Sequence, residues 1–583
     1  MIIPGTDQLR EYLVIRAAAR RRQALVLALA VLGTTSLAAC TAAPGSDTGR
    51  PESRAAVADP ADRPDLRRFY GQKLDWHACG AYQCAELTVP RDYSRPGDGK
   101  TFVLPVAKAG TAVAGKRIGS LLYNPGGPGE RGVQALKDGL ADDLGRGVRE
   151  RFDIVSFDPR GVGESKPALT CRTGKEADGE SPASAEAPLY PRTDAERADA
   201  LAGARATAEA CRKASGPLLA HVGTEDAARD LDVLRAALGD RKLTYVGWSY
   251  GTSLGTSYAE QFPRRVRAMV LDGAVDPSLD WRQRMLGQAT GFRDAVADYA
   301  ESCAATVGDG CPGATPEEIR ALIERLLKRT QREPLTVDGS EDGLDAAGVV
   351  SALSLSMYTP EAQWEGLSEA LRAADGGDGT KLAALAWGEE GGADDEGSED
   401  GADSGGEGAD SPDSTDSPDA ADSPDSTGSA ESTDSGESGS GTGVPEDNSD
   451  AALMAVNCLD VPHPRGDRAY WDALAPADKA AGVYGTSGLT SELVCKDWPA
   501  GTQRPHRVDA PGVPPVLVVG TAGDPATPYA EAVSLARQFP GGMLLSFEGA
   551  GHTGYGRNAC VDRKVEAYLV SLTKVRPGTT CTP

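Results

Sequence analysis

The sequence predicts an α/β fold: a mostly parallel central sheet with flanking helices, into which a helical cap region is inserted. Three observations predict it. Short apolar runs alternate with helical patterns through the first half of the chain, as in parallel sheets covered by helices. A serine framed by glycines follows one of those runs immediately. The runs then stop near Pro277 and resume at Pro515, with helical periodicity between them.

Taken in order, Ile118–Tyr123 is an apolar run that ends in Asn124-Pro-Gly-Gly-Pro-Gly129. A second run, Asp153–Phe157, ends in Asp158-Pro-Arg-Gly161. Leu231, Leu234 and Leu238 fall at helical spacing within Asp226–Leu238, and Gly239 follows as a C-cap. Leu243–Val246 reads as a strand, Ser253–Phe262 as a helix stopped by Pro263, and Met269–Leu271 as the next strand. Residues 282–375 read as amphipathic helices. Pro515–Val519 and Met543–Phe547 are two more buried strands. These elements divide the chain into a core of residues 76–277 and 506–583 and a cap region of 278–505.

The first 75 residues are expected to lie outside the fold. Arg16, Arg20, Arg21 and Arg22 precede an apolar stretch, Ala24–Leu32, that is too short to span a bilayer. Residues 1–39 therefore read as a signal peptide. Leu37-Ala-Ala-Cys40 resembles a bacterial lipobox, which implies cleavage before Cys40 and lipidation of its thiol, anchoring the chain to the outer face of the membrane. Residues 40–75 read as a flexible tether, rich in Pro, Ala and charge up to about Arg67.

Cysteine usage agrees with export. There are 11 Cys, and removing Cys40 leaves an even number, suited to disulfides in an oxidising compartment. Sequence neighbours suggest Cys79–Cys84, Cys171–Cys211, Cys303–Cys311, Cys458–Cys495 and Cys560–Cys581, although spacing alone does not determine pairing. Metal binding is not expected: there is no CxxC pair, and the 5 His are scattered.

The net charge of −26 is concentrated in one place. Residues 389–450 hold 21 Asp and Glu and no Lys or Arg, so the rest of the chain is near −5. That segment has almost no apolar residue to bury and is expected to be a disordered insertion. No basic patch points to nucleic acid.

The chemistry gathers on three loops. Gly247-Trp-Ser-Tyr-Gly251 fits the G-x-S-x-G turn in which a strand, a nucleophilic serine and a helix follow one another. An overlapping match at Ser253 would put that serine inside the helix, so Ser249 is the expected nucleophile. A serine hydroxyl needs a base. His552, in a loop after Met543–Phe547, is expected to supply it, because His77, His221, His463 and His506 have no comparable position. Asp524, the acid in the loop after Pro515–Val519, is expected to orient that imidazole. The order Ser249, Asp524, His552 is that of the α/β-hydrolase fold. The amide of Tyr250, with that of Gly126 or Gly127, is expected to form the oxyanion hole.

Asn124-Pro-Gly-Gly-Pro-Gly129, Asp158-Pro-Arg-Gly-Val-Gly163, Gly247-Trp-Ser-Tyr-Gly-Thr252, Leu271-Asp-Gly273, Gly523-Asp-Pro-Ala-Thr-Pro528 and Gly551-His552 together resemble the secreted tripeptidyl aminopeptidases of actinobacteria, relatives of the prolyl aminopeptidases. The resemblance runs from Trp76 to Cys581 apart from the acidic insertion. It implies an exopeptidase that acts on peptides with a free N-terminus, without a cofactor. Glu130 is the nearest candidate to hold the substrate ammonium. Glu130-Arg131 stands where this family is expected to carry Gly-Ser, a departure beside the oxyanion loop. Two other readings share the same residues: a carboxylesterase or lipase, and a non-catalytic surface-binding lipoprotein, against which the intact Ser, Asp and His argue.

Overall fold

The computed structural model describes residues 63–111, 113–171, 189–306, 310–387, 448–499, 501 and 503–583. The expected signal peptide, Cys40 and nearly all of the acidic insertion lie outside these residues.

Ten strands form one sheet. They are β1 (His77–Cys79), β2 (Tyr82–Pro90), β3 (Thr101–Ala109), β4 (Gly119–Asn124), β5 (Phe152–Phe157), β6 (Leu243–Trp248), β7 (Val266–Asp272) and, after the inserted region, β10 (Leu517–Gly523), β11 (Met543–Ala550) and β12 (Thr579–Cys581). The spatial order is β1-β2-β3-β5-β4-β6-β7-β10-β11-β12. From β5 to β12 every neighbouring pair is parallel. β1, β2 and β3 pair antiparallel at one edge.

The apolar runs are continuous because both faces of the sheet are covered. Leu122, Tyr245, Leu271 and Val518 enter one core cluster, which includes the helices Thr224–Ala237 and Tyr250–Gln261. Their neighbours Leu121, Tyr123, Val246, Val270 and Val519 point the other way, into a cluster with the helix Ala559–Ser571.

The structure adds β1, β12 and the helix Asp194–Ser215 to the elements read from the sequence, and it changes that reading in three further places. The packed chain starts before residue 76: the short helix Arg67–Tyr70 and the turn ahead of it bury Leu66 and Phe69 in the first cluster, so the expected tether of 40–75 is too long. The antiparallel strands β2 and β3 were not anticipated; β2 alternates partly exposed and buried residues rather than forming an apolar run. The inserted region is also not purely helical. β8 (Leu335–Val337) and β9 (Ser340–Leu344) form a hairpin around Asp338-Gly339, where Gly339 has φ 78°. An Asp-Gly turn is the local chemistry that favours such a hairpin.

Two parts of the inserted region behave differently. The helices between Trp281 and Trp387 have their own core, with Tyr299, Leu322, Leu326, Leu353 and Leu371 at its centre. The helix Ser449–Asp460 instead sends Ala452, Ala455 and Leu459 into the core of the main sheet. Five disulfides join the suggested pairs, among them Cys458–Cys495 and Cys560–Cys581. Among the described residues no helix is long and apolar enough to cross a membrane.

Candidate active site

β6 ends at Trp248 and a helix begins at Tyr250, leaving Ser249 alone at the bend with φ 52° and ψ −122°. A non-glycine residue in that region is strained, and strain persists only where the surroundings enforce it. Here the Ser249 N–H donates to the carbonyl of Asp272 at 2.9 Å. The two framing glycines are sterically required. A Cβ on Gly247 would lie 2.3 Å from the Gly251 carbonyl oxygen, and one on Gly251 would lie 2.8 Å from that of Asn124. Ser253, the overlapping match, lies inside the helix.

His552 and Asp524 meet from neighbouring strand ends. Asp524 follows β10, and His552 follows β11. The two strands pair in parallel, so both loops leave the same edge of the sheet. Nδ1 of His552 lies 2.9 and 3.0 Å from the two carboxylate oxygens of Asp524. Asp524 also accepts from the amides of Ala526 and Thr527 at 3.0 and 2.8 Å, so it caps its own loop as well. Nε2 of His552 is buried and makes no hydrogen bond among the described residues. Burial disfavours the imidazolium, but the negative charge of Asp524, seconded by Asp272, outweighs it and raises the His552 pKa above its ordinary value.

The loop after β4 supplies the third part. A Cβ on Gly126 (φ 117°) would lie 3.0 Å from Cβ of Ser249 and 3.4 Å from the amide nitrogen of Tyr250. The Gly126 backbone therefore stands directly against the serine. Gly127 lies one residue further out and is exposed; its Cβ would meet the Gly129 and Glu130 amides instead. Glu130 is exposed on the same loop, within electrostatic reach of Tyr358.

Four residues around the site were not assigned a role from sequence. Asp272, at the end of β7, is fully buried and accepts from the amides of Gly554 and Tyr555 at 3.0 and 2.8 Å. Burial pushes its pKa up to about 6. Its signal was present in the Leu271-Asp-Gly273 motif. Thr527 Oγ1 lies 3.5 Å from Nδ1 of His552. Tyr358 comes from the inserted region and touches His552, while Arg557 braces the histidine loop. No local pattern marks Tyr358 or Arg557, because their meeting depends on how the inserted region docks. One group of metal-ligand types occurs among the described residues, His463, Glu492 and Cys495, but the Cys495 sulfur is bonded to Cys458.

A buried imidazole, oriented by a carboxylate and lacking a partner on Nε2 among the described residues, can accept a proton. A strained serine beside a glycine backbone can present its oxygen. Fold and site together define a serine hydrolase of the α/β-hydrolase class.

The model for the α/β hydrolase fold matches residues 119–309, and that for TAP-like protein matches 481–581. The chain is 35 % identical over 543 residues to serine protease Hip1 of Mycobacterium tuberculosis, covering 88 % of this chain and 91 % of that one. It is 31 % identical to tripeptidyl aminopeptidase of Streptomyces lividans, covering 88 % and 87 %. It is also 32 % identical to carboxylesterase B of Mycobacterium tuberculosis, covering 95 % of each. The chain belongs to the TAP-like family of α/β-hydrolase serine peptidases.

Proposed function

We propose that this enzyme is an exopeptidase that releases short peptides, in particular tripeptides, from substrates with a free N-terminus. The observation that carries the reading is the roofing of the serine site by the inserted region. On one side Tyr358 packs against His552. On the other, Ser449 approaches the oxyanion loop so closely that a Cβ on Gly129 would lie 2.5 Å from its carbonyl oxygen. A site covered on two sides favours chain ends over loops of folded proteins. Two relatives named as a protease and a tripeptidyl aminopeptidase support the same class.

In this mechanism Nε2 of His552 takes the proton of Ser249 Oγ as that oxygen attacks the substrate carbonyl. The amide of Tyr250 and that of Gly126, the glycine whose backbone stands against the serine, bind the oxyanion. The imidazolium then protonates the leaving amine, and water hydrolyses the acyl-enzyme to return Ser249. Glu130 offers a carboxylate for the substrate ammonium. We assign the chain to the outer face of the cell membrane, exported and anchored through a lipid on Cys40.

A carboxylesterase is the second reading, because a relative bearing that name is 32 % identical along 95 % of this chain. Anilides and esters of one, two or three residues, with the N-terminus free or acetylated, separate the two. Cleavage of the free tripeptide anilide, lost on acetylation, is expected. Turnover of esters alone, indifferent to the amino group, would replace the peptidase reading with the esterase one.

A further inference from the structure

The proposed chemistry depends on His552 standing in one orientation, and Asp524 holds only one edge of its ring. The cap holds another part. The backbone N–H of His552 donates to the Tyr358 carbonyl at 2.8 Å. The Tyr358 ring meets the imidazole edge to face, with centroids 5.1 Å apart and planes at 77°. Edge-to-face ring pairs have a preferred geometry, so such a contact favours one ring orientation.

The residue before the histidine is shaped for this contact. Gly551 has φ 89°, and a Cβ there would lie 2.6 Å from Cδ of Pro360 and 2.7 Å from the Tyr358 carbonyl oxygen. Arg557 ties the two segments together. Its guanidinium donates to the carbonyls of Ala550, His552 and Thr553 at 2.8–3.1 Å and to both carboxylate oxygens of Glu361 at 2.8 Å. Thus four consecutive cap residues, Tyr358–Glu361, contain the groups that dock on the loop carrying the base.

We infer that Tyr358 is a positioning residue for His552, and that the cap sets the stance of the base through it. This rests on the reading of His552 as the base. The ring shields the imidazole and limits its swing, while the phenol oxygen takes no part in proton transfer. The charged groups around the pair are Asp524 after β10, Asp272 at the end of β7, Arg557 within the histidine loop and Glu130 across the oxyanion loop.

The test compares Tyr358→Phe, Tyr358→Leu and Tyr358→Ala in the full-length protein. Its readouts are tripeptide-anilide kinetics against pH, a thermal melt, and fluorophosphonate labelling of Ser249. Tyr358→Ala and Tyr358→Leu are expected to lower kcat about 10- to 100-fold, with KM moving less than about threefold, since small misplacements of a catalytic group cost rates of that order. The acid limb should move to higher pH, because a hydrated imidazole is easier to protonate. Tyr358→Phe should restore kcat to within about threefold of wild type.

Wild-type kcat and pH limb in Tyr358→Leu would overturn the inference. So would a change in KM alone, which would make Tyr358 a substrate contact. Tyr358→Phe as impaired as Tyr358→Ala would point to the hydroxyl instead of the ring. Loss of the thermal transition in both the Ala and Leu variants would make the role structural. Failure of a fluorophosphonate to label wild-type Ser249 is a different result: it would remove the serine mechanism itself.

Discussion

Both carboxylate oxygens of Asp524 lie within 3.0 Å of a single atom, Nδ1 of His552. That places the imidazole proton on Nδ1 and leaves Nε2 as the basic nitrogen. Buried Asp272 adds a second negative charge nearby. The pair of anions overcomes desolvation, so the imidazolium persists to a pH above the ordinary imidazole value. As base, His552 must be neutral. Activity is therefore expected to fall as pH drops through a value above about 6.5. A kcat/KM profile measured from pH 5 to 9 checks this, and a flat profile would exclude His552 as base.

Replacing Asp272 tests the second anion. Asp272→Asn keeps the shape but removes the charge that favours the imidazolium. The acid limb should shift to lower pH by a few tenths of a unit, as expected when one of two stabilising charges is lost. An unmoved limb would show that the histidine does not sense Asp272.

Ser249→Ala removes the attacking oxygen and nothing that supports the fold. The bend is held by the backbone bond to Asp272 and by the glycines on either side. Activity should fall by about 10³-fold or more, with an unchanged melting temperature. An active variant would mean that the serine is not the nucleophile.

Gly126→Ala tests the oxyanion loop. Its Cβ would sit 2.8 Å from the Trp248 carbonyl oxygen and 3.0 Å from Cβ of Ser249, on a backbone with φ 117°. The loop must retreat from the serine. The expected result is a loss of about 10²- to 10³-fold in kcat, the usual cost of removing one oxyanion donor. Retained kcat would move the donor elsewhere in the loop.

Stability should also depend on pH. Burial is the leading cause that raises Asp158, Asp272 and Asp460 to about 6 and Glu531 to about 7. A raised folded-state pKa means that the native form binds its proton more tightly than the unfolded chain. Stability from these groups is thus present at low pH and is lost as pH rises from about 4 through 6–7. His552, also raised, acts with the same sign. The melting temperature is expected to be higher at pH 5 than at pH 8; the opposite trend by scanning calorimetry would show that these carboxylates are better hydrated than their burial implies.

Six of the parallel strands were legible because burial on both faces leaves continuous apolar runs, such as Met269–Leu271 within β7; the three-residue edge strand β12 has no such run. β2 was not legible, because it alternates polar and apolar residues and carries no such run; β3 does carry one, Phe102–Ala107, but its antiparallel pairing with β2 breaks the strand–helix alternation. Likewise Ser249, Asp524 and His552 were legible because each follows a strand and sits among glycines or tight turns. The choice between Gly126 and Gly127 was not, since both have positive φ and only the packing shows which one meets the serine.

The sequence by itself determined the hydrolase class, six of the parallel strands and the three loops that carry the chemistry. These depend on local periodicity and on turn residues whose backbone needs are intrinsic. Only the tertiary structure decided what surrounds the base: Asp272 from β7, Arg557 from the histidine loop and Tyr358 from the cap. Tyr358 and His552 are 194 residues apart, and nothing in either local segment encodes their contact. It follows from how a separately packed helical unit comes to rest on the sheet edge, which depends on the summed burial of many side chains.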